Sequence, residues 1–159
     1  MSLATALKDE APYDTQYLRR RIHDEFPLAR HIGIEVELAA DDRLVLSAPF
    51  ELNTNHNGTA FGGSQFCIAV LTGWAWATRY LAARQVAADA VIQESTIRYL
   101  APAYGPLRAI LQPPLPEAVD KFRRMLRRAG RGRIRLNVEV HGGTTLVTQF
   151  HGVFAVSIR

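Results

Sequence analysis

The chain has 159 residues, 48% apolar and 21% charged, with a net charge of +4 and one cysteine. Length and balance describe one globular domain with a sizeable core and exclude a disordered segment. The lone thiol, Cys67, excludes an intrachain disulfide and fits a reducing cytoplasm.

The N-terminus lacks a basic stretch followed by an apolar one, so no secretory signal is expected, and residues 1–13 read as a flexible segment. Asp14 is placed to cap a helix that runs to about Phe26, with Leu18, Ile22 and Phe26 at four-residue spacing and Pro27 ending or restarting it. Residues 33–40 alternate Ile34, Val36 and Leu38 against Glu35 and Glu37. Asp41-Asp42 supply a turn, and 43–50 return as a second strand.

Next comes Asn53-Thr54-Asn55-His56-Asn57-Gly58-Thr59-Ala60-Phe61-Gly62-Gly63-Ser64, a polar glycine-rich loop that runs into an apolar helix over 65–81. Gly62 and Gly63 fall at the helix start, where amides lack an intrahelical partner and the helix dipole is positive. Missing β-carbons let a negative or polarised oxygen approach them. Glycines before a helix are also the mark of a plain turn, and asparagines suit turns and left-handed geometry. Residues 60–78 carry no charge, yet they include Gly62, Gly63, Ser64, Gln65, Thr72 and Gly73. A buried central helix is therefore expected rather than a membrane span. Cys67 within it reads as an inert buried thiol, and Trp74 and Trp76 as core or interface.

Residues 90–101 are strand-like and stop at Pro102, and 104–111 form another strand. Pro113, Pro114 and Pro116 precede a short amphipathic helix over 117–128 with Val119, Phe122 and Leu126 inward. Residues 131–141 and 144–158 pair across Gly142-Gly143. Mostly sequential strands around one apolar helix predict an antiparallel sheet in an α+β domain. Arg123, Arg124, Arg127, Arg128, Arg131, Arg133 and Arg135 concentrate positive charge. This is a solvated face or a seat for the phosphates of a small cofactor; without aromatic interleaving or a known motif, nucleic acid ranks last. His23, His31, His141 and His151 show no paired-ligand spacing, so no metal is expected. Neither a Gly-x-Ser-x-Gly elbow around Ser64 nor a phosphate-loop or dinucleotide fingerprint is present.

The run Asn55-x-x-Gly58-Thr59-x-Phe61-Gly62-Gly63-Ser64, followed by Leu71-Thr72-Gly73-Trp74, resembles the thioesterase domain of YiiD-type bacterial proteins. The likeness extends to Arg98-Tyr99-Leu100-Ala101-Pro102, to Gly130-Arg131-Gly132-Arg133 and to the last hairpin. It implies a single hot-dog domain, a sheet wrapped around one long helix, and a homodimer or dimer of dimers with acyl-thioester sites at the interface. Some members of this family carry an acetyltransferase domain before the thioesterase-like one; with no room for it before Pro27, no acetyltransferase activity is expected. Related phenylacetyl-CoA-type thioesterases carry a His where this chain has Phe61 and an acid where it has Val70, so only Asn55, Gly62 and Gly63 match their loop.

The expected activity is hydrolysis of an acyl thioester, acyl-CoA above all, with coenzyme A as part of the substrate and no separate cofactor. Amides of Gly62 and Gly63 would hold the carbonyl, and Asn55 would orient water or thioester, or else only shape the loop. His56 and Glu94 are candidate bases, each with a solvated alternative; Glu94 is read as sharing a strand face with Ile92 and Thr96. Asn57, Phe61, Ser64, Arg127 and Arg128 are candidate substrate-binding residues. A non-catalytic acyl-thioester-binding module and a 3-hydroxyacyl-thioester dehydratase remain as alternatives.

Overall fold

The computed structural model describes residues 13–159; the expectation of a flexible N-terminal segment lies almost wholly outside them. Asp14 caps α1 (Thr15–Glu25) by accepting from the Tyr17 amide at 2.9 Å, and α1 buries Leu18 and Ile22. Phe26 is extended, as a residue before proline must be, and Pro27 then opens a second short helix, α2 (Pro27–His31).

Six strands form one antiparallel sheet: β1 (Glu35–Ala39), β2 (Leu44–Ala48), β3 (Ala88–Tyr99), β4 (Leu107–Gln112), β5 (Arg131–Gly142) and β6 (Thr145–Ile158). Their spatial order is β1-β2-β4-β5-β6-β3, so β3 leaves its chain neighbours and closes the far edge beside β6. Strand β4 begins three residues later than its pattern suggests, because Gly105 has a φ of +83° and Pro106 has no amide to give the ladder. The last hairpin turns at Gly143 and Thr144, one residue beyond expectation. Gly142 stays in β5 opposite Thr145 because it is Gly143 that adopts a left-handed φ of +60°.

Helix α3 (Gly62–Ala82) lies against the sheet, with Ile68, Ala69, Ala75 and Ala77 fully buried. Close approach to β6 requires a glycine at 73, since a Cβ there would sit 2.4 Å from the Phe154 ring. Trp76 donates its indole N–H to the Asp41 carbonyl at 2.8 Å and stacks on Tyr80, while Trp74 meets Phe26 edge-on, so both tryptophans are core residues. On the fourth helix, α4 (Pro116–Ala129), Phe122 and Leu126 are buried, and the Phe122 ring lies 6.3 Å from that of Tyr80. A long sheet wrapping one central helix is the hot-dog arrangement, as expected. Among the described residues, no helix is long and apolar enough to cross a membrane.

Candidate active site

The polar loop closes on itself before it delivers the glycines. The Asn55 amide donates to the Thr59 carbonyl at 2.8 Å, and the Gly58 amide, at a residue with φ +69°, donates back to the Asn55 carbonyl at 3.1 Å. The Asn55 Oδ1 accepts from the amides of Asn57 (2.9 Å) and Thr59 (3.2 Å), and its Nδ2 donates to the Thr59 hydroxyl at 2.9 Å. Beyond it, the Ala60 amide reaches the Ala103 carbonyl and the Phe61 amide the Asn53 carbonyl. These bonds fix where α3 begins.

That beginning comes three residues earlier than the apolar run suggests, so Gly62, Gly63 and Ser64 are the first turn of α3. No side chain among the described residues caps the helix. The first intrahelical donor with a bond is Gln65, to the Phe61 carbonyl at 3.1 Å; among the described residues the Gly62 and Gly63 amides donate to no carbonyl outside the helix. First-turn amides have no partner inside it either. Both glycines are half-buried, and a cleft of about 460 Å³ opens beside Gly62, lined by Thr59, Gln65, Tyr99 and Pro102 among others. Two rings crowd the glycines. A Cβ at 62 would lie 3.2 Å from the Tyr99 ring, and one at 63 only 2.3 Å from the ring of Phe61.

The other candidates divide sharply. His56 and Asn57 are exposed at the loop tip, Phe61 is 55% exposed over Gly63, and Ser64 is buried. Glu94 is not brought to the loop by its own chain, and its expected face requires correction. The register of β3 against β6 shifts between Ile92 and Glu94: Ile92 pairs with buried Phe154 on the helix side, but Glu94 pairs with Val153. In the same row of the sheet Val153 opposes exposed Arg135. The irregularity at Gln93 has turned Glu94 to the outer face, away from α3 and from Ile92. Thr96 does share that outer face, opposite His151.

Arg127 and Arg128 are exposed in the last turn of α4. Among the described residues, Arg123 is the one arginine of the 123–135 segment with a carboxylate partner, Asp120 at 3.8 Å. A groove of about 570 Å³ opens beside Arg131, Arg133, Met125 and Val91, at the other end of β3 from the loop. Eight residues of strand separate Val91 from Tyr99, roughly 26 Å, so within one chain these guanidiniums stand far from Gly62. Among the described residues, no group of three or more His, Cys, Asp or Glu side chains converges as a metal site would.

Two residues of the site escape sequence reasoning. Gln65, buried in the first turn of α3, donates to the Ala60 carbonyl at 3.0 Å and accepts from the Thr148 hydroxyl, tying the loop to β6. Tyr99 donates its hydroxyl to the Gly62 carbonyl at 2.9 Å. A lone glutamine in an apolar helix is a visible signal; the Tyr99 contact spans 37 residues and is not. Burial pushes the Cys67 thiol up from its ordinary range, consistent with an inert residue.

Residues 15–158 match the family described as "Putative thioesterase (yiiD_Cterm)". Among solved structures, a Chlorobaculum tepidum protein of unknown function is 30% identical, with 91% of this chain and 94% of that one covered at a TM-score of 0.85. A "putative thioesterase" from Shewanella oneidensis is 28% identical, covering 91% and 97% at 0.77. A Pseudomonas aeruginosa protein, 18% identical over 91% and 96% at a TM-score of 0.75, shares the fold.

Proposed function

The chain belongs to the YiiD C-terminal thioesterase family, and from that membership we propose that it hydrolyses acyl thioesters, acyl-CoA above all. One observation carries the reading: among the described residues the Gly62 and Gly63 amides have no partner in the first turn of α3, and Gly62 borders an open cleft. The thioester carbonyl docks on these donors. Water adds to its carbon, the charge that develops on oxygen is held by the two N–H groups, the C–S bond breaks, and the thiolate takes up a proton. An oxyanion-hole donor of this kind contributes roughly 3–4 kcal/mol to the transition state.

His56 is the titratable side chain of the loop itself and the first candidate for the base; Glu94 faces the other way in its own chain. Asn55 shapes the loop, and it orients water only by releasing Thr59. The edge of β3 supports a homodimer. Twelve residues long, β3 is hydrogen-bonded on one side only among the described residues, and Val91, Ile92, Tyr99 and Leu100 on and beside it are exposed. Antiparallel pairing of this edge with a second copy would bring the second copy's arginine groove toward the loop, where it would meet the phosphates of CoA. The lone cysteine agrees with a cytoplasmic address.

Thiol release across a series of acyl-CoA chain lengths tests the reading: turnover above background supports hydrolysis. A second reading, a module that binds acyl thioesters without cleaving them, draws on Phe61 and Val70 standing where related enzymes carry polar groups. Tight binding with no thiol release would establish it, and hydration of an enoyl thioester would instead indicate a dehydratase.

A further inference from the structure

Tyr99 is an aromatic residue at the end of an edge strand, 52% exposed, and its pairing with Thr148 puts it on the helix side of the sheet. Its ring lies 3.2 Å from where a Gly62 Cβ would sit, and its hydroxyl donates to the Gly62 carbonyl at 2.9 Å. It also lines the cleft beside Gly62. Helix construction does not require that bond, because a first-turn carbonyl already accepts from the amide four residues on.

The oxygen of residue 62 and the N–H of residue 63 are opposite ends of one planar peptide unit. A donor on the oxygen fixes the direction of that plane. It also draws electron density toward the oxygen, so the N–H at the other end becomes a stronger donor, as in any polarised hydrogen-bond chain. We infer that Tyr99 is a positioning residue for the proposed hydrolysis, aiming and polarising the 62–63 peptide so that the Gly63 amide meets the developing oxyanion. This rests on thioester hydrolysis being the reaction. Tyr99 touches no reacting atom in it: its phenol keeps its proton while water adds and the C–S bond breaks. Burial, and then the neighbouring Cys67, hold that phenol above the ordinary tyrosine range, so the donor hydrogen persists at physiological pH.

Tyr99→Phe removes the hydroxyl and keeps the ring over Gly62. The expected result is a kcat lowered about tenfold, the equivalent of one hydrogen bond, with KM within about twofold of wild type. The second readout uses the full-length protein with a ketone analogue of acyl-CoA, in which a methylene replaces the sulfur and the carbonyl carries ¹³C. Its infrared carbonyl band should move to lower frequency on binding wild type and move less on binding Tyr99→Phe. A variant that keeps both wild-type kcat and the full band shift overturns the inference, as does one whose KM and thermal stability fall in step with kcat. A third arm places a fluorinated, more acidic tyrosine at position 99; the alkaline limb of kcat should move to lower pH, and an unmoved limb counts against the inference. If wild type itself neither releases thiol nor shifts the band, the hydrolase reading fails and the inference with it.

Discussion

Asn55 is the residue on which a chemical and an architectural role can be separated by two substitutions. Its Oδ1 accepts two backbone amides, from Asn57 and Thr59, and its Nδ2 donates to the Thr59 hydroxyl. Asn55→Ala deletes all of these. Each lost bond is worth about 0.5–1.5 kcal/mol; the Asn57 amide is exposed and regains water, so the total should be about 1–2 kcal/mol. For a chain of this size that lowers Tm by about 2–8 °C. Asn55→Asp keeps an acceptor for both amides and can take a hydrogen bond from the Thr59 hydroxyl. It should unfold within about 2 °C of wild type and retain thiol release within about threefold. Calorimetry and the thiol-release assay decide. An alanine variant with unchanged Tm would refute the loop-closing account. An aspartate variant that keeps its Tm but loses a hundredfold in turnover would show that Nδ2 reaches substrate directly.

Gly62→Val should lower turnover about a hundredfold with the fold retained, because its side chain must displace the Tyr99 ring at the mouth of the cleft; wild-type turnover in the folded variant would remove the site from these amides. Gly73→Ala should cost about 1–3 kcal/mol of stability, since its Cβ would lie 2.4 Å from the buried Phe154 ring; a second change, Phe154→Leu, should recover part of the lost Tm, and failure to do so would deny the clash. Burial alone would raise the Asp41 carboxyl, but hydrogen bonds and charge from Arg84 and Arg79 hold it below the ordinary carboxylate range. That contribution is present above the unfolded-state pKa and lost as pH falls through the folded one. Asp41→Asn should therefore destabilise by up to about 1 kcal/mol at neutral pH, discounted because the Asp41 side chain is itself half-exposed, and the gap should close in acid; a gap that widens there would contradict the assignment. Replacing Arg127 and Arg128 by Ala should raise KM more for acyl-CoA than for a truncated pantetheine thioester, and equal effects would exclude phosphate recognition at those positions.

What the amino-acid pattern discloses is the part of the fold set by neighbours along the chain. Alternation of Gly132, Ile134, Leu136 and Val138 with exposed Arg131, Arg133, Arg135 and Asn137 makes β5 legible, as Asp14 and Pro27 make the ends of α1. The candidate carbonyl seat is legible for the same reason: free amides are a property of any helix start, and two glycines at that start are a local fact. Placement across the sheet is not local. One irregular residue at Gln93 turns Glu94 from the helix side to the outer face, and alternation counted along the strand carries no mark of it. Tyr99 reads as an ordinary strand aromatic until β3 is known to leave chain order and lie beside β6, which brings its hydroxyl to Gly62. The same placement leaves β3 unpaired on its outer edge among the described residues, with Ile92 and Tyr99 toward the helix side and partly bare. A strand of that length, apolar on its inner face, offers a template for pairing with another chain. The groups missing from the loop, a second carboxylate or imidazole and a cluster of cations, are therefore best sought on whatever pairs with that edge.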